Sequence, residues 1–160
     1  MIERRGYAGE AEIYIEAPPE KVYELISDVT RVGEWSPECH RCEWLDGATG
    51  PAVGVRFRGH NGRKWLRWGL SARITDAEPG RVFAFRTEPI SPIKNAPQTL
   101  WRYELEATGG GTTLKESFHA LWVFRLVILL AFGGKKARLV QLQQNLESSL
   151  ARIKAVAESS

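Results

Sequence analysis

The hydrophobic pattern changes its period once, near residue 133. Beyond that point Leu139, Leu142, Leu146, Leu150, Ile153 and Val156 recur at spacings of three and four, the repeat of a single apolar helix face. Gln141, Gln144, Asn145, Ser148, Arg152 and Glu158 fall on or near the other side. Gly133-Gly134 interrupts any preceding helix, so the pattern predicts one long helix over 133–158, then a short disordered tail at 158–160. A helix of this length cannot bury its leucine stripe alone.

Upstream the period is mostly two. Residues 10–17 alternate Ala11, Ile13, Ile15 and Ala17 against Glu10, Glu12, Tyr14 and Glu16, a half-buried strand. Pro18-Pro19 ends it, and Pro19 suits a first helical turn. Val22, Leu25 and Ile26 then mark a short helix to about Ser27, and Val32 and Trp35 mark a second. Strands are predicted at 39–45, 53–59, 65–76, 81–87, 98–106 and 112–119, with Asp46-Gly47, Asn61-Gly62, Glu78-Pro79-Gly80 and Gly109-Gly110-Gly111 as turns. Asn61-Gly62 is the strongest hairpin signal among them. Consecutive strands on short turns imply an antiparallel meander, and the simplest partner for the long helix is that sheet, curved around it.

Period two also assigns faces. Trp44, Phe57, Trp68, Phe83, Phe85, Trp101, Tyr103 and Phe118 point to the inner side, together with Glu116 between Leu114 and Phe118. His40 shares a face with Cys42 and Trp44 by the same count. Large inward rings pack a core or line an apolar ligand cavity. An inward carboxylate must raise its pKa or find a partner. His40 is a candidate for that partner, and Glu116 and His40 are the candidates for acid–base work.

Composition narrows the classes. At 160 residues and a net charge of +3, the chain fits one domain, 1–160, and is too weakly basic to imply nucleic acid. The basic group Arg56, Arg58, Arg63, Lys64 and Arg67 lacks interleaved stacking aromatics, so no nucleic-acid partner is expected. The first twelve residues are polar and charged, which predicts no export signal and a cytoplasmic location. The two cysteines, Cys39 and Cys42, stand at i and i+3 of a predicted strand and so face opposite sides. This predicts two free thiols that cannot pair with each other, and no metal or other cofactor. The segment 120–132, ALWVFRLVILLAF, is too short to span a bilayer. It covers the end of a cavity, or, with Lys135, Lys136 and Arg138 following, makes a peripheral membrane contact through 120–136.

The run 13–45, with Ala17-Pro18, Val22, Asp28 and Trp35, resembles the opening of the SRPBCC superfamily, also called START-like or polyketide cyclase/dehydrase and lipid-transport proteins. Residues 47–61, the Glu78-Pro79-Gly80 turn before Phe83 and Phe85, and 109–117 fit the same pattern, which is similar to actinobacterial members. The resemblance implies an α+β helix-grip fold: a seven-stranded antiparallel sheet around the C-terminal helix, two short helices after the first strand, and a cavity between. It implies a hydrophobic or amphipathic ligand, lipid or polyketide-like, bound by the inward aromatics with Trp35, Leu142 and Leu146. Glu116, His40 and Tyr103 would orient its polar end. A polyketide cyclase or dehydratase is the second reading and a protein- or ribosome-interaction module the third. Also by resemblance, the loops 59–63 and 88–97 close the cavity mouth; Ile90 and Ile93 would be exposed on the second unless they pack on something, so one of them is expected to reach towards 120–132.

Overall fold

The structure, a computed structural model, describes residues 7–88, 98–120 and 125–160. Seven antiparallel strands run β1 (Tyr7–Ile15), β2 (Cys39–Trp44), β3 (Arg56–Arg63), β4 (Leu66–Glu78), β5 (Val82–Thr87), β6 (Thr99–Thr108) and β7 (Gly111–Ala120). They form one sheet in the order β1-β7-β6-β5-β4-β3-β2. Between β1 and β2 lie helix α1 (Pro19–Ser27) and a 3₁₀ turn, Val29–Glu34. After β7 come α2 (Arg125–Phe132) and the long α3 (Lys135–Ser159). This is the helix-grip fold.

The stripe on α3 is buried as its spacing requires. Leu142, Leu146, Leu150, Ile153 and Ala157 are all sealed from solvent, each large apolar side chain contributing about 1.5–3 kcal/mol by leaving water. The C-terminal half of α3 packs into a solid core with Val22, Leu25 and Ile26 of α1 and with Ile15, Ile74, Phe83 and Leu114 of the sheet. Leu142 and Leu146 belong to a separate cluster with Phe118 and Ala120, against which Trp101 packs. Between the two clusters the sheet and helix stand apart.

Four expectations are corrected. Asn61-Gly62 does not turn the chain: both residues stay in β3, and the two-residue turn is Lys64-Trp65, where Arg63 pairs with Leu66 and Lys64 takes φ 55°. Moving the turn outward lengthens the β3–β4 ladder on both strands. Gly62 serves as a clearance site instead, since a Cβ there would meet the side chains of Arg67 and His40 at 2.9 Å. Val53 lies outside β3 and is 68% exposed. The C-terminus is helical to Ser159, held by Glu158, which accepts the Glu16 backbone N–H at 2.8 Å. Arg138 does not join a basic surface, because it is buried against Glu38. The proposed lid 88–97 lies, beyond Glu88, outside the described residues, as does 121–124 of the apolar segment.

The two clusters predict unequal costs of truncation. Leu150→Ala removes side chain from solid core, and about 3–5 kcal/mol of unfolding free energy is expected to be lost. Leu146→Ala borders existing open space, and a loss of about 2 kcal/mol is expected. Urea denaturation of both variants checks the order, and equal losses would mean that the helix is gripped uniformly.

Candidate functional site

Where α3 and the concave sheet diverge, a cavity of about 220 Å³, counted as space open to the centres of water-sized molecules, remains. Phe57 from β3, Trp68 from β4, Phe83 and Phe85 from β5 and Trp101 from β6 line it, as the alternation predicted. Leu142 and Leu146 close it from α3, and Trp35 from the cap that ends the 3₁₀ turn. The rings form a continuous wall: Phe57 meets Phe85 edge-on at 5.0 Å between centroids, Phe83 meets Phe85 tilted at 5.9 Å, and Phe83 stacks on Tyr103 at 6.5 Å. Two predicted wall residues stand behind it. Trp44 packs its edge on Phe57, and Phe118 packs under Trp101.

The polar centre of the cavity is Glu116. It faces Tyr103 directly across the β6–β7 ladder, so both side chains emerge on the concave face next to each other. The Tyr103 hydroxyl donates to Glu116 Oε1 at 2.8 Å, and the indole N–H of Trp35 donates in turn to the Tyr103 oxygen. The second carboxyl oxygen, Oε2, is buried and has no partner among the described residues. Burial pushes the Glu116 pKa up to about 8, against the Tyr103 hydrogen bond, which lowers it. Burial first, and then the neighbouring Glu116, raise the Tyr103 phenol well above its usual range. Near neutral pH Glu116 is therefore a neutral acid, and with Oε1 engaged by Tyr103 its own O–H is available to an acceptor in the cavity.

His40 is not part of this site, and the cause is a β-bulge. Cys39 pairs with Asn61, but the next pair is Arg41 with His60, so His40 is an extra residue in β2 and turns outward to solvent. The side-chain count thereby slips by one. Cys39 and Cys42, expected on opposite faces, both look into the cavity with their sulfurs 3.4 Å apart. Plain alternation could not reveal this. The sequence signal beside it is Gly33, where a Cβ would collide with the His40 carbonyl. The missing side chain lets the 3₁₀ turn press on the bulge.

The rim holds a second feature absent from the sequence reading. Arg138 of α3 donates to both oxygens of Glu38, at 2.5 and 2.9 Å, a bidentate pair that is nearly enclosed. Its guanidinium also lies 4.0 Å from the centroid of the Phe132 ring, which packs edge-on against Trp68 at 5.9 Å. One charge thus ties together α3, the segment before β2 and the end of α2. Among the described residues no three His, Cys, Asp or Glu side chains gather as a metal-binding set.

Comparison with known proteins agrees with this architecture. The family model described as polyketide cyclase / dehydrase and lipid transport matches residues 8–158. A search of curated protein sequences finds no match. Among solved structures, the polyketide cyclase-like protein Cgl2372 from Corynebacterium glutamicum is 28% identical, covers 96% of this chain and 90% of its own, and superposes with a TM-score of 0.56. The Zhui aromatase/cyclase from Streptomyces sp. R1128 is 17% identical, with 96% and 94% coverage and a TM-score of 0.73. Ara h 8.0201 is 13% identical, with 98% and 100% coverage and a TM-score of 0.70.

The Glu116 carboxyl predicts a pH signature. Between about 4.5, its ordinary value, and about 8 the unfolded chain gives up a proton that the folded chain keeps. The stabilising contribution is therefore full below the lower value and lost as pH rises through the window, by a few kcal/mol at most. Glu116→Gln should flatten this part of the stability–pH curve. Tyr103→Phe removes the hydrogen bond that lowers the Glu116 pKa, so it should carry the decline to higher pH. Denaturant midpoints measured from pH 5 to 9 read both shifts, and a slope that survives Glu116→Gln would assign the effect elsewhere.

Proposed function

The chain belongs to the polyketide cyclase/dehydrase and lipid-transport family, and from that premise we propose that its cavity binds a hydrophobic or amphipathic small molecule. The observation that carries this reading is the unpartnered Oε2 of Glu116 at the centre of an aromatic wall. A buried polar atom without a partner costs roughly 1–3 kcal/mol. A ligand carbonyl or hydroxyl placed there accepts the carboxyl O–H and removes that cost. Its apolar body leaves water against Phe57, Phe83, Phe85 and Trp101 at about 25 cal/mol per Å². Trp35 and Tyr103 hold the carboxyl in place. The ligand is uncharged at its polar end in this reading, because a charge there would lose its hydration and gain no counter-ion from a protonated Glu116. The protein acts in the cytoplasm in this reading.

A cyclase or dehydratase is the second reading, and the same carboxyl supports it. An acid with a pKa near 8 gives and takes protons close to physiological pH, and a wall that folds a flexible chain supplies proximity. Replacing Glu116 by Gln separates the two: turnover lost with binding kept identifies an enzyme.

Mass spectrometry of an organic extract of the purified protein is expected to find a bound neutral amphiphile. Its retention should weaken as pH is raised from 7 to 9, and in Glu116→Gln that pH dependence should vanish. An extract without ligand, from a protein that also fails to bind the neutral probe N-phenyl-1-naphthylamine, would defeat the binding reading.

We also propose a peripheral membrane contact at the end of the molecule where α2 meets the β3–β4 turn. Leu130 is 74% exposed and Trp65 80% exposed, and a groove runs between Lys64-Trp65 and Ala131 to Gly133. Among the described residues no helix is long and apolar enough to cross a membrane. An apolar tip beside Lys64, Lys135 and Lys136 suits shallow contact with anionic lipid. Co-sedimentation with phosphatidylserine vesicles is expected, reduced by Trp65→Ser with Leu130→Ser and by high salt. Equal sedimentation with neutral vesicles at every salt concentration would reject the electrostatic part.

A further inference from the structure

The bulge in β2 creates a feature that neither the family nor the ligand reading uses. We propose that Cys39 and Cys42 form a reversible intramolecular disulfide, made by peroxide and undone by thiols, that resets the wall of the cavity. Three observations carry it. The sulfurs lie 3.4 Å apart on one side of the strand and need to close to about 2.05 Å. Gly59, opposite Cys42 in the ladder, leaves them room: a Cβ there would stand 3.2 Å from the Cys39 sulfur and 3.5 Å from that of Cys42. Cys39 is half-buried and both thiols border the cavity, through which a molecule the size of hydrogen peroxide reaches them.

The two sulfurs are also chemically unequal. The hydrogen bond from the Cys42 thiol, with backbone hydrogen bonds at Arg41 and His60, lowers the Cys39 pKa against the opposing effect of burial. The bond to Cys39 and burial push the Cys42 thiol up. Cys39 is thus the attacking thiolate and Cys42 the resolving thiol. The Cys39 thiolate attacks one peroxide oxygen: an S–O bond forms, the O–O bond breaks, and hydroxide leaves with the electron pair. Cys42 sulfur then attacks the Cys39 sulfenic sulfur, the S–S bond forms, and the sulfenic oxygen departs as water with the Cys42 proton. Overall two thiols and one hydrogen peroxide give one disulfide and two waters, counting the proton first released by Cys39. Drawing the two sulfurs together moves part of the wall that Trp35 and Tyr103 also line, and Tyr103 is the residue that holds Glu116.

Hydrogen peroxide added to the reduced, full-length protein tests this. Intact mass after alkylation is expected to show both thiols lost together, a monomer lighter by two hydrogens, and recovery with dithiothreitol. Cys42→Ser is expected to stop at a dimedone-trappable sulfenic acid on Cys39, and Cys39→Ser to leave Cys42 unmodified. Affinity for N-phenyl-1-naphthylamine should differ about fivefold or more between the two forms. Oxygen additions without disulfide, linkage between chains, or both thiols persisting would overturn the chemistry. Equal probe affinity in both forms would overturn the coupling to the cavity. A disulfide that forms in a protein blind to the probe in either state would fail the coupling and the ligand reading, with the thiol chemistry standing.

Discussion

The grip of one helix by a curved sheet is the constraint that everything else follows from. α3 presents a stripe that must leave water, and the concave sheet presents aromatic rings that must do the same. A long straight helix and a twisted sheet match in shape over only part of their length. At the C-terminal half of α3 they meet, with α1 filling the angle, and the core is solid. Between this core and the second cluster, where Leu142 and Leu146 meet Phe118 and Ala120, they part, and rings of the sheet face open space. The cavity is therefore the remainder of the packing problem, and its lining is apolar because the same alternation that builds the core continues into it.

That origin explains what the sequence made legible. Where local rules decide the outcome, the reading was accurate. Pro19 opened α1 and Ser27 closed it, the α3 stripe lay buried from Leu142 to Ile153, and period two placed Glu116 and Tyr103 inward from opposite strands. The misreadings have a common cause in interactions between distant segments. The bulge at His40 exists in the pairing of β2 with β3 and in the pressure of Gly33, so counting along β2 alone put His40 inside and split the cysteines. Asn61-Gly62 carries the chemistry of a tight turn, yet the ladder continues to Arg63 because pairing outweighs turn preference. Arg138 read as a surface charge until its partner Glu38, far earlier in the chain, was in place.

Glu38 and Glu116 show two ways of placing a carboxyl at a cavity. Glu38 is matched, since Arg138 reaches both of its oxygens in a planar fork near the rim. Glu116 has no cation beside it among the described residues. Its only described partner is a phenol, which cannot neutralise a negative charge, so burial dominates and the proton stays. The first arrangement fastens α3 to the segment before β2. The second leaves a donor aimed at space.

Together these two solutions set the electrostatic character of the cavity. Its acidic and guanidinium groups are either matched or protonated near neutral pH, so they present dipoles and little net charge. A charged ligand entering such a place loses its hydration without gaining a counter-ion. A neutral polar end loses less and recovers a hydrogen bond from Glu116. Selectivity for uncharged amphiphiles thus arises from the same burial that raised the carboxyl pKa. Raising the polarity of the wall would weaken it twice, by hydrating the ligand's apolar body and by letting Glu116 ionise.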